Sequence, residues 1–191
     1  MFMGRNIEFV CTANNGKSPV ALAVARNYVK KMGNHRLSST GTMVDIISKS
    51  KGGGLIKYLD PFCNAAYERS ILSQEELDKL ETNPREVLEK LLLNERNNRN
   101  RYLQELNLKF DDSPTQTTRL EDSEVIACIG KSNLKKVQDL YKGFIPFPKI
   151  IDLTGNDYSN MDNQWILTYS EFRDVANVVR RTTIDLLEDV L

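Results

Sequence analysis

The chain has 191 residues, of which 40% are hydrophobic and 27% are charged, and its 26 basic side chains balance 26 acidic ones. Because the net charge is zero, no global field favours nucleic acid or an anionic membrane surface as a partner. The sequence shows neither an apolar run of membrane-spanning length nor a signal-peptide pattern, so we expect a soluble, cytoplasmic protein with one core.

The cysteine and histidine content limits the chemistry. The cysteines are Cys11, Cys63 and Cys128, and the single histidine is His35. An odd cysteine count without CxxC or Cys/His spacing argues against a disulfide scaffold and a zinc site, and one histidine argues against a Ser-His-Asp triad. We therefore expect no metal and no cofactor.

The first predicted elements are a short strand over residues 7–10 and an amphipathic helix over about residues 19–32. Ser18 precedes Pro19, and this pair is typical of an N-cap followed by proline at the first helical position. Gly33 is a stop signal for the helix. A second short strand is predicted from residue 36, ending at residues 40–42.

Residues 43–110 carry little strand signal and predict a largely helical insertion after the second strand. Residues 48–54 predict a flexible basic segment, and Asp60-Pro61 predicts a turn. Residues 73–76 form a capping-box pattern, and Asn83-Pro84 predicts the start of another helix. The polar run 94–101 predicts a solvated helix face or loop; docking of an acidic protein or nucleic acid is the alternative for its arginines, Arg96, Arg99 and Arg101.

The remaining pattern completes a parallel α/β fold. Residues 124–129 and 149–153 predict two further strands, with a helix over residues 132–141 between them. The clearest helix closes the chain after a cap at Ser170. Four strands alternating with helices predict a single α/β domain over residues 1–191 with a parallel sheet, whose ligands bind at the carboxyl ends of the strands.

Residues 11–18, at such an end, place one thiol, one cation and several backbone amides around a single point. The amides and the helix N-terminus attract an anion, and together with Lys17 they favour the thiolate form of Cys11. Asn14 and Gly16 are residue types that tolerate left-handed backbone conformations, as a tight cradle requires. The sequence therefore predicts a nucleophile, Cys11, in a phosphate-binding loop formed by Thr12, Ala13, Asn14, Asn15, Gly16, Lys17 and Ser18.

The loop resembles that of the low-molecular-weight protein tyrosine phosphatases, whose signature is Cys, five residues, Arg, Ser and usually Pro. The resemblance continues over residues 38–42 and over residues 122–129 with 132–134. It implies a flavodoxin-like three-layer α/β/α fold with a four-stranded parallel sheet and a phosphocysteine intermediate. The implied activity is that of a phosphoric monoester hydrolase, and the implied partner is a phosphorylated protein or a small aryl or acyl phosphate.

The sequence departs from this family in three places. Lys17 stands where the family has arginine, so a planar two-pronged donor is replaced by a point charge. The family's general acid is an aspartate before the last helix; Asp152, Asp157 and Asp162 are candidates, and we favour Asp157, with Tyr158 flanking the substrate ring. A supporting histidine of the family is replaced by Pro114.

Three other functions stay open. A phosphate- or phosphopeptide-binding module with weakened catalysis would follow from Lys17 and the missing Asp-Pro. An arsenate reductase would need resolving thiols, and Cys63 and Cys128 are not an obvious relay. Gly16-Lys17-Ser18 matches the end of a nucleotide-binding P-loop, but the first glycine of that motif would fall at Cys11. The oligomeric state is left open.

Overall fold

The computed structural model describes residues 4–110, 123–143, 146–155 and 164–191. Within them, one parallel sheet has the strand order β2-β1-β3-β4, with β1 (Asn6–Cys11), β2 (Arg36–Gly41), β3 (Val125–Cys128) and β4 (Lys149–Asp152). The helices are α1 (Lys17–Val29), α2 (Val44–Lys49), α3 (Gly53–Glu68), α4 (Gln74–Asp78), α5 (Pro84–Glu105), α6 (Lys131–Leu140) and α7 (Tyr169–Val190), with a 3-10 helix at Gln164–Ile166.

The sheet has helices on both faces, which confirms the predicted flavodoxin-like α/β fold. Side chains alternate along β1, so Phe9 and Cys11 pack towards α1 and α7, whereas Val10 packs towards Val137 of α6 and Tyr141, the residue that follows this helix. β3 is a continuous apolar run, Val-Ile-Ala-Cys, because both of its faces are covered. No helix among the described residues is long and apolar enough to cross a membrane.

Between β2 and β3, the described residues up to 110 form four helices, α2 to α5. They form their own apolar cluster, in which Leu59, Leu88 and Trp165 are buried. Ala13, from the loop that follows β1, belongs to this cluster as well. The helices therefore pack directly against the loop at the carboxyl edge of the sheet.

Two predicted helix starts were wrong. Helix α1 begins at Lys17, so Ser18 lies inside its first turn and is not its N-cap. Pro19 still lies in that turn, where its missing N–H removes no intrahelical hydrogen bond. Helix α7 is capped by Thr168 rather than Ser170, because Thr168 and Glu171 form a reciprocal capping box.

Two expectations for residues 43–110 were also wrong. Residues 48–54 are not one flexible segment, because α2 ends at Lys49 and α3 begins at Gly53. Pro61 lies inside α3 rather than in a turn. The buried stripe of Leu55, Leu59 and Cys63 runs past the proline, and packing of this stripe stabilises the helix despite the hydrogen bond that proline removes. The capping box at Ser73 and the helix start at Pro84 are confirmed.

Candidate active site

The Cys11–Ser18 loop joins the end of β1 to the first turn of α1. Cys11 is 1% exposed. The chain that leaves β2 pairs with the start of the loop, because the amide of Thr42 donates to the carbonyl of Cys11 at 3.0 Å and the amide of Met43 donates to Thr12 at 2.9 Å. The loop is therefore held at the carboxyl edge of the sheet, where ligands bind in such folds.

The backbone of the loop turns at Asn14. Its φ is +50°, as predicted from the tolerance of asparagine for the left-handed region. The same expectation for Gly16 was wrong, since its φ is −116°. Glycine is needed there for space, because a Cβ at Gly16 would lie 2.3 Å from Oε1 of Glu95.

Ser18 lies beside the thiol. Its hydroxyl oxygen is 3.0 Å from Sγ of Cys11, 3.1 Å from Oδ1 of Asn14 and 3.1 Å from the carbonyl oxygen of Thr40. A hydroxyl has one proton to donate, and a charged acceptor makes the stronger hydrogen bond. A thiolate at Cys11 would therefore attract the Ser18 proton away from the two neutral oxygens.

Asn133 of α6 fixes the first residue of the loop from another direction. Its Nδ2 donates to Oγ1 of Thr12 at 3.2 Å and to the carbonyl of Ile129 at 2.8 Å, and its Oδ1 accepts from Thr42 at 2.6 Å. Asn133 is 2% exposed. Buried amides with all partners satisfied specify one geometry, so this residue ties β2, α6 and the loop together.

Gly41, at the end of β2, allows the loop to pack against the strand. A Cβ there would lie 2.7 Å from the amide nitrogen of Asn14 and 2.8 Å from the carbonyl oxygen of Thr12. Both are backbone atoms, which cannot rotate away. We call the contacts of the loop with Thr40, Gly41, Thr42 and Asn133 the sheet side of the loop.

Helix α5 covers the loop on another side. Nδ2 of Asn15 donates to Oε2 of Glu95 at 3.1 Å and to the carbonyl of Leu92 at 2.7 Å. The guanidinium of Arg99 donates to the carbonyl of Asn15 at 2.9 Å. We call the contacts of Asn15, Gly16 and Lys17 with α5 the α5 side of the loop.

The α5 side holds three buried charges. Lys17, Glu95 and Arg99 are 1%, 0% and 3% exposed. Burial raises the pKa of Glu95, and the charge of Lys17, the hydrogen bond from Asn15 and the charge of Arg99 oppose that rise. Lys17 is thus enclosed beside a carboxylate rather than exposed at a solvated helix start.

The predicted solvated face over residues 94–101 was wrong for these residues. Glu95, Asn98 and Arg99 are buried, whereas Arg96 is exposed and the Arg101 guanidinium lies 3.8 Å from the centre of the Tyr169 ring. Their spacing in the sequence could have indicated that they are buried, because these three residues continue a helical stripe that is otherwise mostly apolar. Its members are Val87, Leu88, Leu91, Glu95, Asn98, Arg99, Tyr102 and Leu103.

Of the three aspartates considered as general acids, the described structure contains Asp152. It lies at the end of β4, opposite Cys128 in the register. Its Oδ1 accepts from the amides of Thr154 at 3.2 Å and Gly155 at 3.1 Å, so this carboxylate stabilises the turn after the strand. The other positions of interest lie outside the described residues: Pro114, Asp157, Tyr158 and Asp162.

The other two cysteines lie away from the loop. Cys63 belongs to the cluster of α2 to α5, and Cys128 faces α6 on the opposite side of the sheet. Burial and the charge of Asp60 raise the pKa of Cys63 to about 11. Burial, together with Asp152 and Glu8, raises the pKa of Cys128 to about 12. Both groups are therefore thiols at neutral pH, and neither is a good attacking sulfur.

Neither a protein-family sequence model nor a curated protein sequence matches the chain. Solved structures do match it over nearly its whole length. The low-molecular-weight phosphotyrosine phosphatase VcLMWPTP-2 from Vibrio cholerae O395 is 14% identical, with a TM-score of 0.59, over 97% of this chain and 96% of that one. DARP, a Drosophila arginine phosphatase, is 16% identical, with a TM-score of 0.61, over 96% of both chains.

A third similar structure is the tyrosine phosphatase Wzb from Escherichia coli K30 in complex with sulphate. It is 10% identical, with a TM-score of 0.59, over 99% of this chain and 100% of that one. At such identities the similarity is one of fold. The chain therefore has the fold of the low-molecular-weight protein tyrosine phosphatases, and the resemblance inferred from the sequence is confirmed at that level.

Proposed function

We propose that the protein is a cysteine-dependent phosphatase of the protein tyrosine phosphatase type, which forms a phosphocysteine intermediate on Cys11. The observation that carries the proposal is the Ser18 hydroxyl 3.0 Å from Sγ of Cys11, in a loop that turns through a left-handed Asn14. A hydrogen bond to sulfur stabilises the thiolate as nucleophile and as leaving group. A buried structural thiol would need no such donor.

In the first step, the Cys11 thiolate attacks phosphorus in line with the leaving oxygen. The S–P bond forms and the O–P bond breaks, while loop amides and Lys17 balance the charge on the three remaining oxygens. The leaving oxygen takes a proton from a carboxylic acid, and we assign this role to Asp157, with Tyr158 flanking the substrate.

In the second step, water attacks the phosphocysteine. Asp157, now a carboxylate, accepts the proton of the water, the S–P bond breaks, and the thiolate is restored. Ser18 donates its hydrogen bond to the departing sulfur. The two steps are chemically balanced without a metal or an oxidant, so the proposed cycle uses only residues of this chain and water.

We propose that residues 1–191 form a single domain in which the helices between β2 and β3 complete the active site. Helix α5 joins both large apolar clusters, because Leu88 lies in one and Leu103 in the other. Its Glu95 and Arg99 contact the loop directly. The three free cysteines fit a reducing compartment, which supports a cytoplasmic location.

A phosphate- or phosphopeptide-binding module is the second candidate, favoured by Lys17. An arginine fork makes two parallel hydrogen bonds to a phosphate, and lysine cannot reproduce them. Lys17 also lies beside Glu95, which competes for its charge. Such a protein would bind phosphotyrosine peptides without hydrolysing them.

Hydrolysis of p-nitrophenyl phosphate by the wild type, Cys11→Ser and Lys17→Arg tests both candidates. We expect metal-independent turnover that vanadate inhibits and that Cys11→Ser abolishes, while Cys63→Ser, which removes a buried thiol away from the loop, retains it. Turnover that persists in Cys11→Ser would contradict the phosphatase proposal. A nearly inert wild type that gains strong activity in Lys17→Arg would favour the binding module.

The substrate panel contains phosphotyrosine and phosphoserine peptides, an acyl phosphate and phosphoarginine. The last is included because DARP is an arginine phosphatase. Arsenate reduction serves as a further assay, and we expect none, because Cys63 and Cys128 lie in different apolar clusters from Cys11. ATP and GTP with Mg²⁺ complete the panel, and we expect neither to bind.

A further inference from the structure

The peptide that joins Asn15 to Gly16 has its carbonyl held by a side chain of α5. Nη1 of Arg99 donates to this carbonyl oxygen at 2.9 Å, and the contact is buried. A peptide unit is planar and trans, so the amide of Gly16 points in the direction opposite to the carbonyl of Asn15. The Gly16 amide therefore faces away from Arg99.

Glu95 gives independent evidence for the direction of this amide. Its Oε1 lies against Gly16, since a Cβ on this glycine would be 2.3 Å from that oxygen. Among the residues that the structure describes, Oε1 has no hydrogen-bond partner, so the Gly16 amide is not turned towards it. The amide is buried and donates to no acceptor in the described part of the chain. A buried amide without an acceptor is rare in a folded chain and indicates a ligand.

A second peptide of the loop, between Thr12 and Ala13, is held in a different way. Its carbonyl accepts at 2.9 Å from the backbone amide of Met43, on the chain that leaves β2. The amide of Ala13 is likewise buried, and within the described residues it donates to no acceptor. Backbone pairing thus orients the Thr12–Ala13 peptide, whereas a side chain of α5 orients the Asn15–Gly16 peptide.

The guanidinium of Arg99 is itself held in one orientation. Its Nε and Nη2 donate to Oδ1 of Asn100 at 3.0 and 2.7 Å. Its central carbon lies 4.4 Å from the centre of the Phe110 ring. Because a guanidinium is planar and rigid, contacts at two of its nitrogens fix the direction of the third. The donor that holds the Asn15 carbonyl is therefore aligned before any ligand binds.

We propose that Arg99 is a positioning residue, which turns the Asn15–Gly16 peptide so that the Gly16 amide donates a hydrogen bond to the oxyanion bound in the loop. Arg99 acts from the opposite side of the peptide and does not touch the ligand. Helix α5 thereby orients a donor of the phosphate site that backbone pairing does not orient. This inference rests on the proposed phosphate-binding function of the loop and names a further residue on which that function depends.

Isotope labelling allows the two peptides to be observed singly by NMR. Gly16 is the only glycine in the sequence that follows an asparagine, and Ala13 is the only alanine that follows a threonine. Labelling asparagine carbonyls with ¹³C and glycine nitrogens with ¹⁵N therefore gives one signal, from the Asn15–Gly16 peptide. The same labels on threonine and alanine give one signal from the Thr12–Ala13 peptide, which is the internal control.

Sulfate is the probe, in a Cys11→Ser background so that no thiolate repels it. The variants compared in this background are Arg99→Met and Arg101→Met. Arg101 is the matched control, because its guanidinium also lies over an aromatic ring, that of Tyr169, at 3.8 Å from the ring centre. Unlike Arg99, it is exposed.

In the background we expect sulfate to move the amide proton signals of Gly16 and Ala13 downfield, as hydrogen bonds to a charged acceptor do. With Arg99→Met, the shift of Gly16 is lost, that of Ala13 is retained, and the Kd for sulfate rises about tenfold. The ¹³C signal of Asn15 moves upfield in this variant even without sulfate, because its carbonyl has lost a donor. Arg101→Met leaves all of these values as in the background.

A Gly16 shift of the same size in Arg99→Met would overturn the proposal. So would a background protein in which Ala13 responds to sulfate and Gly16 does not, and this result needs no change at Arg99, so it decides even if Arg99→Met does not fold. Failure of sulfate to move either signal would have a different meaning, since it would contradict the proposed phosphate site and this inference with it.

Discussion

The sheet side and the α5 side of the loop are built from different chemistry. The sheet side uses uncharged groups, such as the hydroxyl of Thr42 and the amide of Asn133, at hydrogen-bond distances. The α5 side uses the buried charges of Lys17, Glu95 and Arg99. Neutral hydrogen bonds fix geometry, whereas buried charges respond strongly to any further charge. The difference suggests that one side sets the shape of the loop and the other its electrostatic response.

The largest effect is expected from Glu95→Ala, which should lower the free energy of unfolding by about 3–5 kcal/mol, because it removes a buried carboxylate that interacts with the charges of Lys17 and Arg99. Urea denaturation at neutral pH measures it. Glu89→Ala, which removes a 66%-exposed carboxylate from the same helix, is the control and should change stability by less than about 1 kcal/mol. Equal losses in both variants would mean that the α5 side has no special electrostatic role.

A smaller effect, on rate rather than stability, is expected from Gly41→Ala on the sheet side. The new methyl group would meet backbone atoms of Asn14 and Thr12 at 2.7 and 2.8 Å, so the loop must shift. A displacement of the loop by about 1 Å should lower turnover by about 100-fold, because phosphoryl transfer depends on the alignment of the reacting atoms. Steady-state kinetics with p-nitrophenyl phosphate measures it, and Gly53→Ala, with open space around its Cβ, should leave the rate unchanged.

Ser18→Ala should lower kcat by about 10- to 30-fold, since a hydrogen bond to a charged partner contributes about 1.5–2 kcal/mol. Its effect on stability should be slight, because the two oxygen atoms beside the hydroxyl, Oδ1 of Asn14 and the carbonyl oxygen of Thr40, are uncharged acceptors. Ser48→Ala, which removes an exposed hydroxyl from α2, is the control. A change in KM alone would indicate that Ser18 serves the shape of the loop and not the sulfur.

The smallest effect concerns a buried acid outside the loop. The pKa of Cys128 rises from 9.0 to about 12 through burial and the charges of Asp152 and Glu8. Above pH 9 the unfolded chain loses this proton while the folded chain keeps it, so stability falls as pH rises towards 12. Between pH 9 and pH 10 this group should lower the free energy of unfolding by about 1 kcal/mol. Cys128→Ala should remove that part of the pH dependence, which urea denaturation measures. If the free energy of unfolding of Cys128→Ala falls with pH as steeply as that of the wild type, the raised pKa of Cys128 is contradicted.

The sheet side could be predicted from the sequence because its signals are local. An apolar run before Cys11 predicts the strand, and asparagine at position 14 predicts the left-handed turn. Alternation of strands and helices then predicts the parallel sheet. The start of α1 was misplaced because the Ser18 side chain contacts the sulfur of Cys11 instead of capping the helix.

The α5 side could not be predicted in the same way, because polar residues at helical spacing are normally solvated. Glu95 and Arg99 differ from the solvated residues because they lie on the same buried face of α5 as Leu88 and Leu103. Only the packing of the helix shows that this stripe faces the loop. The role of Gly16 was misassigned for the same reason, since the space it leaves is needed by a residue 79 positions away.

The hydrogen bond between Asn15 and Glu95 joins residues 80 positions apart. Contacts of such long range form late in folding, since closing a large chain loop precedes any gain from the contact. The nascent chain therefore displays the whole Cys11–Ser18 sequence long before α5 has been synthesised. Phosphate affinity should accordingly appear as one of the last events of refolding, after the secondary structure, and could be followed as a kinetic marker of complete assembly.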